Sequence, residues 1–576
     1  MPTFNRAHSG IPLLLEERKR DDAGYRTSSD EEARGLMGDR TSSQEERDLD
    51  EEEQVPGRDT EGNTLTAMDR KYRMVDAEID AHGMGKYQWC VWSLCGLGYL
   101  LDLLWSQAFG LVLGPLQQEL GFSDDVSGSI SVAFSTGLTA GAFFWGIMGD
   151  VIGRRWVFNL TCFFSGAFGI GLGAVTSYWQ FLALVVVIGF GIGGNIPVDT
   201  TICLEFLPSN RRFLLALLSI FQPIGVVGTS AIAFAFVPSH SCSPDFSRTD
   251  ALPSCKNVAE GVACCTSARN MGWRYVLYTI GAVNVIVFIL RCCVIKVQES
   301  PKFLLSQGND EAAVRVLQAV ARTNGKECTL RLRDFERADA EDESDAAFVK
   351  SRMELTDKNY WKGEVRKELS KYKKLFDSNQ MIFVTLLVWL TYICDFFGFT
   401  LAGYYFPKII AIKNSQLDVT LRQTYRNYIA IYSPGILGVV LGSLLTRMPS
   451  LGKKWTMTIS SGLMGLSIIL FSRTNSPTSN IVLNAMEYFF QSMFNAVLYG
   501  FTPEVFPAEI RGTATGLATT WGRLFSILAP IIAQSMQKEE GLKDPETVKR
   551  FLYMAGGITL GCVVTTALLP GKMKKR

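Results

Sequence analysis

The sequence predicts an all-α membrane protein of about twelve transmembrane helices in two six-helix halves. Three observations carry that prediction. Apolar runs of roughly twenty residues recur along most of the 576 residues, each long enough to cross a bilayer. A charged signature appears twice, as Glu205-Phe206-Leu207-Pro208 with Arg212 and as Glu504-Val505-Phe506-Pro507 with Arg511, 299 positions apart. The same offset of 299 separates Gly153-Arg154-Arg155-Trp156 from Gly452-Lys453-Lys454-Trp455. A fixed offset in a membrane-like chain means two homologous halves, an architecture that binds a solute between the repeats and rocks around it.

The elements follow in order. Residues 1–85 read as a disordered acidic cytosolic tail: the stretch Asp21 to Glu61, rich in Asp, Glu, Arg and Ser, buries too little apolar surface to fold alone, and the tail contains no signal-peptide core. The first half, 86–295, holds expected spans near Trp89–Leu113, Val126–Gly149, Trp156–Val175, Trp179–Ile202, Phe213–Val237 and Trp273–Val294. A cytosolic linker, 296–380, opens with apolar residues at Ala312, Val316, Leu317 and Val320, the spacing of an amphipathic helix, and continues as a charged solvated stretch. The second half, 381–570, holds expected spans near Met381–Ile410, Tyr428–Leu445, Trp455–Phe471, Ile481–Phe501, Thr515–Ser535 and Phe551–Leu569. Residues 571–576 are a basic tail.

The loop charges set an orientation. Arg154, Arg155, Arg211, Arg212, Arg447, Lys453, Lys454, Arg511 and the basic tail fall on one side, so the positive-inside rule puts both termini in the cytosol. Cys242, Cys255, Cys264 and Cys265 then share one loop on the oxidising side, where one or two disulfides are expected and three complete pairings are open. With three histidines and no metal-ligand spacing, the chain calls for no cofactor and no metal; the net charge of +1 argues against a nucleic-acid partner. Gly189, Gly191 and Gly194 resemble a dinucleotide loop only superficially. No strand precedes them, so they read as close helix packing, with a backbone irregularity at Pro197.

Gly146-Ile147-Met148-Gly149-Asp150-Val151-Ile152-Gly153-Arg154-Arg155 resembles the loop signature of the major facilitator superfamily. Gln298-Glu299-Ser300-Pro301-Lys302-Phe303-Leu304 is similar to the element that follows the sixth span in its sugar-porter-like branch, and Pro503-Glu504-Val505-Phe506-Pro507 with Arg511-Gly512-Thr513 to the end of that branch's tenth span. Gly191 to Val198, followed by Glu205 to Pro208, is most similar to carriers related to synaptic vesicle glycoprotein 2, including fungal members. The resemblance implies the major facilitator fold, a transporter rather than an enzyme, and a monomer that takes a small-molecule solute and protons as partners in a lipid bilayer, with the plasma membrane as the default. It also implies gating by Asp150, Arg154, Arg155, Glu205, Arg212, Glu504 and Arg511, expected as charge contacts between the halves that hold the outward-facing state. The seventh span, Trp389 to Gly398, lacks the glutamine pair and asparagine of hexose porters, and Val185 stands where the family usually has an arginine linked to proton coupling.

Asp102 in the first span and Asp395 in the seventh occupy equivalent helices of the two halves. A carboxylate in hydrocarbon costs about 2.5–3.5 kcal/mol on insertion scales, so such residues face a cavity or a partner, and one that can alternate between charged and neutral forms suits coupling. Asp199 is the third such acid. Asn195, Gln222, Trp389, Tyr392, Tyr404 and Asn495 are candidate cavity residues, and Arg523 needs a partner or an anionic ligand. Glu487 is expected to be solvated near a helix end. The function expected is secondary transport of a small polar or amphiphilic organic solute by alternating access, coupled to protons; the alternatives are efflux of a metabolite or toxin, or a receptor or scaffold on the same fold.

Overall fold

The computed structural model describes residues 67–242, 252–259, 261–294, 297–340, 375–415, 419–446, 448, 451–506, 511–536 and 545–570. They form helices α1 (Ala67–His82), α2 (Lys86–Leu120), α3 (Ser129–Val151), α4 (Arg154–Leu172), α5 (Tyr178–Phe206) and α6 (Ser209–Phe236), and α7 (Gly272–Ile289). Three short helices follow, α8 (Pro301–Ser306), α9 (Asp310–Asn324) and α10 (Leu332–Ala340). The second half contains α11 (Asn379–Ser415), α12 (Leu421–Leu445), α13 (Gly452–Arg473), α14 (Pro477–Val505), α15 (Arg511–Met536) and α16 (Pro545–Leu568). Among the described residues nine helices are long and apolar enough to cross a membrane. Helices α3, α4 and α14 occupy the places of the expected second, third and tenth spans.

Apolar side chains also cover the outside. Trp179, Phe143 and Leu437 are 76%, 66% and 66% exposed, as suits helices solvated by lipid rather than water. Between the halves, α3 packs on α15, α6 on α12 and α2 on α11. The core differs at the two faces. Toward the loop that carries the disulfides (the disulfide face), one apolar cluster joins Trp105, Phe109 and Trp273 of the first half to Leu401, Tyr425 and Phe551 of the second. Toward the α8–α10 segment (the linker face), each half has its own cluster: Tyr87, Phe158 and Phe206 belong to one, Val384, Phe494 and Phe506 to the other. The close approach of Ala216 to Gly500 is a point where the halves still touch there.

The loop after α6 is closed by Cys242–Cys265 and Cys255–Cys264, which selects one of the three pairings. It sits on the end of α2, where Ser254 Oγ donates to Glu119 O at 2.9 Å and Asn257 Nδ2 to Gly121 O at 3.0 Å.

Helix α1 corrects the sequence reading of 1–85 as a disordered tail over its last part, 67–82; residues 1–66 lie outside the described residues. Its Val75 and Ile79 pack with Leu317 of α9 and Phe335 of α10, because the amphipathic linker helices offer it the apolar face it lacks alone. Polar contacts fix the docking: Lys71 Nζ meets Asp310 at 2.5 Å and Asp339 at 2.7 Å. Glu78 accepts from Thr329 N at 2.9 Å and Oγ1 at 2.5 Å. Burial pushes the Glu78 carboxyl up, but these donors outweigh it and hold it below the usual carboxylate range.

Candidate functional site

A cavity of about 880 Å³, open solvent included, lies between the halves. It is lined by Asp102 and Ser106 of α2, Ser131 and Ser135 of α3, Gln222 of α6, Asp395 of α11, Asn495 and Tyr499 of α14, and Arg523 and Ser526 of α15. Asp102, Gln222, Asp395 and Arg523 are all buried within the fold, so their polar ends meet the cavity rather than lipid. With its amide oriented to satisfy both groups, Asn495 Nδ2 donates to Asp395 Oδ2 at 2.9 Å. Arg523 and Asp102, from opposite halves, line the same cavity.

The glycine-rich run of α5 explains how Arg523 is held. A Cβ on Gly189 would lie 2.6 Å from Phe134 O, and one on Gly193 2.2 Å from Leu138 O, so these positions let α5 press against α3. Gly191 does the same toward α4, within 2.8 Å of Ser165 N. Four residues after Gly193 stands Pro197, which has no N–H to give, so the Gly193 carbonyl lacks its helical donor. Arg523 Nη1, coming from the other half, donates to Gly193 O at 3.3 Å and to Leu138 O at 2.9 Å. The motif is therefore a packing seam that leaves a carbonyl for an arginine across the interface.

Asp199, Asn195 and Tyr392 are off the cavity lining. Asp199 Oδ2 accepts from Arg291 Nη2 at 2.9 Å, with both side chains fully buried. Arg291 also donates to Leu94 O and Phe158 O, each at 3.0 Å, and lies 3.8 Å from the centre of the Phe158 ring. Asn195 is buried at the break in α5 beside the cavity-lining Ile196, and neither of its amide atoms has a hydrogen-bond partner among the described residues. Tyr392 donates to Thr502 Oγ1 at 3.2 Å, tying α11 to α14.

The charged turns obey the 299-residue offset in three dimensions. Arg154 pairs with Glu205, and Lys453, 299 positions later, pairs with Glu504. The helices α4 and α13 that follow these turns start at Gly153 and Leu451-Gly452, where Gly153 and Gly452 both take positive φ, 99° and 56°. Glu299 accepts from Arg154 N at 2.9 Å, capping α4. Both of these ion pairs lie within a half, and on this face each half keeps its own core. Arg155 and Arg212 are exposed at the same face. The side chains of Asp150, Tyr404 and Arg511 lie outside the described residues.

Two residues were not anticipated. Arg291 interrupts an apolar run at the end of α7, in a π-helical turn, and the signal was that cation itself. Glu487, expected to be solvated, is 5% exposed and lines a second cavity with Gln107, Tyr432 and Gln491; helices from both halves cover it.

An all-helical membrane architecture with a charged cavity between two related halves defines a solute carrier. The sequence pattern of the Major Facilitator Superfamily matches residues 95–530 and 388–571. The MFS siderochrome iron transporter 1 of Ceriporiopsis subvermispora (strain B) is 32% identical over 510 residues, 88% of this chain and 91% of that protein. The synaptic vesicle 2-related protein of Xenopus laevis is 24% identical over 515 residues, 86% of this chain and 79% of that one. The solved structure of the MFS proton:xylose symporter XylE bound to 6-bromo-6-deoxy-D-glucose matches with a TM-score of 0.60 at 15% identity, over 84% of this chain and 96% of that one. The chain belongs to the major facilitator superfamily. It is thus a multi-pass membrane transporter by family rather than an enzyme, as the loop motifs implied.

Proposed function

We propose that the chain moves a small polar or amphiphilic organic solute by alternating access, driven by protons through Asp102 and Asp395. The observation that carries the reading is that these two acids, from the first helix of each half, face one cavity together with Arg523. Desolvation makes a carboxylate there responsive to both proton and solute. Alternating access is supported by the asymmetry of the core. At the disulfide face the halves share one cluster and cross-bonds, Tyr425 OH to Leu111 O at 2.6 Å and Lys408 Nζ to Gln117 Oε1 at 3.1 Å. At the linker face the charged pairs stay within each half. The loop charges and the two disulfides support a cytosolic linker face with cytosolic termini, in the plasma membrane. The carrier works as a monomer, with Arg154, Arg155, Glu205, Arg212 and Glu504 gating the cytosolic side.

The test is uptake into proteoliposomes under an imposed pH gradient, with solutes first chosen by thermal shift and iron chelates included because of the siderochrome relative. Asp102→Asn or Asp395→Asn abolishes uphill accumulation while solute exchange persists, because Asn keeps the shape but cannot cycle its charge. Normal accumulation by both variants would overturn proton coupling through these acids and make Asp199 the next residue to test. Export under the same gradient would select the efflux alternative.

A further inference from the structure

Glu487 opens a second lobe of the central cavity. The lobe shares four lining residues with that cavity, Ser106 and Gly403 among them. On α14, Glu487, Gln491, Asn495 and Tyr499 recur every four residues, so one polar stripe runs from the lobe into the central cavity. Glu487 precedes Asn495 by eight residues, about 12 Å along the helix, toward the disulfide face.

We infer that this lobe is the subsite for an ammonium group of the transported solute, with Glu487 as its counter-charge. Among the described residues the Glu487 carboxylate has no hydrogen bond and no ion pair. Buried charges are normally paired, so an unpartnered carboxylate beside a cavity marks a place for a ligand that brings a positive charge. The rings of Tyr432 and Tyr488 meet edge to face at 4.9 Å, and Phe406 lines the same lobe, so its wall is aromatic, as suits an organic cation. Gln107 lines the lobe beside the Tyr432 hydroxyl, where its amide is suited to an oxygen on the same solute. The chemistry fits an amino alcohol or another solute that carries an ammonium and a nearby oxygen.

The inference deepens the transporter reading and rests on it for the word "transported", so binding and uptake are measured separately. The probe is choline, compared with 3,3-dimethylbutan-1-ol, which keeps the shape and hydroxyl but lacks the charge. Full-length protein is titrated with each in a detergent without ammonium groups, following the thermal midpoint. Choline raises the midpoint and the neutral isostere does not. Glu487→Gln lowers the apparent choline affinity about tenfold or more, the worth of one charged contact, and does not lower the unliganded midpoint, since it removes an unpaired buried charge. Glu487→Asp, which keeps the charge on a shorter stem, falls between the two. Equal responses to choline and its isostere in the wild-type protein overturn the inference, and no variant is needed for that result. Undiminished choline affinity in Glu487→Gln overturns it as well. Choline binding without any uptake into proteoliposomes would instead sink the carrier reading and leave the subsite standing.

Discussion

In the first half, the buried Asp199–Arg291 pair and its carbonyl contacts tie α2, α4, α5 and the end of α7 together. A second buried pair, Glu119–Arg274 at 2.7 Å, joins α2 to α7 nearer the disulfide face, with Trp273 Nε1 donating to the same carboxylate at 2.9 Å. The second half has Leu498 at 299 positions beyond Asp199. Its interior helices are joined by hydroxyls: Thr391 to Thr565 at 2.8 Å, Thr458 to Thr566 at 3.0 Å and Tyr392 to Thr502 at 3.2 Å. The buried charges of the second half, Asp395, Glu487 and Arg523, line cavities instead. Duplication kept the charged turns and let the interiors diverge. The first half adds two buried charge clamps beside its one cavity acid, Asp102, whereas among the described residues the buried charges of the second half line cavities.

The largest expected effect breaks that clamp. Removing one member of a buried ion pair strands the other and costs about 3–5 kcal/mol, against about 1 kcal/mol for a hydroxyl hydrogen bond. Asp199→Asn and Arg291→Met should each lower the thermal midpoint sharply. The double variant Asp199→Leu with Arg291→Met should lose less than the sum, because neither charge is then left unpaired. Wild-type stability in Asp199→Asn would dissolve the contrast between the halves and return Asp199 to the coupling candidates.

A smaller effect sharpens the same contrast through glycine. A Cβ on Gly98 would stand 1.7 Å from Asp199 Oδ2 and 2.4 Å from Arg291 Nη2, so α2 lies directly against the clamp. Gly98→Ala should cost about 1–3 kcal/mol, as overpacking does. Gly557→Ala in α16 meets nothing within 4 Å and should be neutral or slightly stabilising, since alanine favours helix. Equal unfolding midpoints for the two variants would mean that the clamp yields without strain.

Much of this was legible before any coordinates. Helices and halves follow from apolar length and a repeated offset, which are local properties. Asp102, Asp395 and Arg523 were legible because a charge in an apolar run must face something polar. What that something is depends on partners far along the chain. Asp199 and Arg291 are 92 residues apart, and only the fold, which brings the turn after α7 beside α5, shows that they satisfy each other rather than a cavity. Glu487 read as solvated because it stands close to a helix start; its burial comes from neighbours such as Gln107 and Tyr432 on other helices. The charged turns were found by offset, but no offset tells whether a pair closes within a half or between halves.

Those turns provide the smallest expected effect. The Lys453–Glu504 pair has side chains 28% and 63% exposed, whereas Arg154 and Glu205 are 19% and 10% exposed. Water screens the first pair, and measured exposed pairs contribute about 0–1 kcal/mol, so Lys453→Ala should shift the midpoint little. Arg154→Ala leaves Glu205 nearly buried without its counter-charge, a loss of about 1–3 kcal/mol. Salt separates the two cases. At roughly 1 M ionic strength the screening length falls to about 3 Å, so the Lys453→Ala difference should vanish, while the Arg154→Ala difference persists because the deeper pair is shielded from counter-ions. If both differences vanish together, the two turns are equivalent latches and the halves differ only in their interiors. If only the exposed one vanishes, the divergence reaches the charged turns as well, and the first half is the stiffer partner at this face.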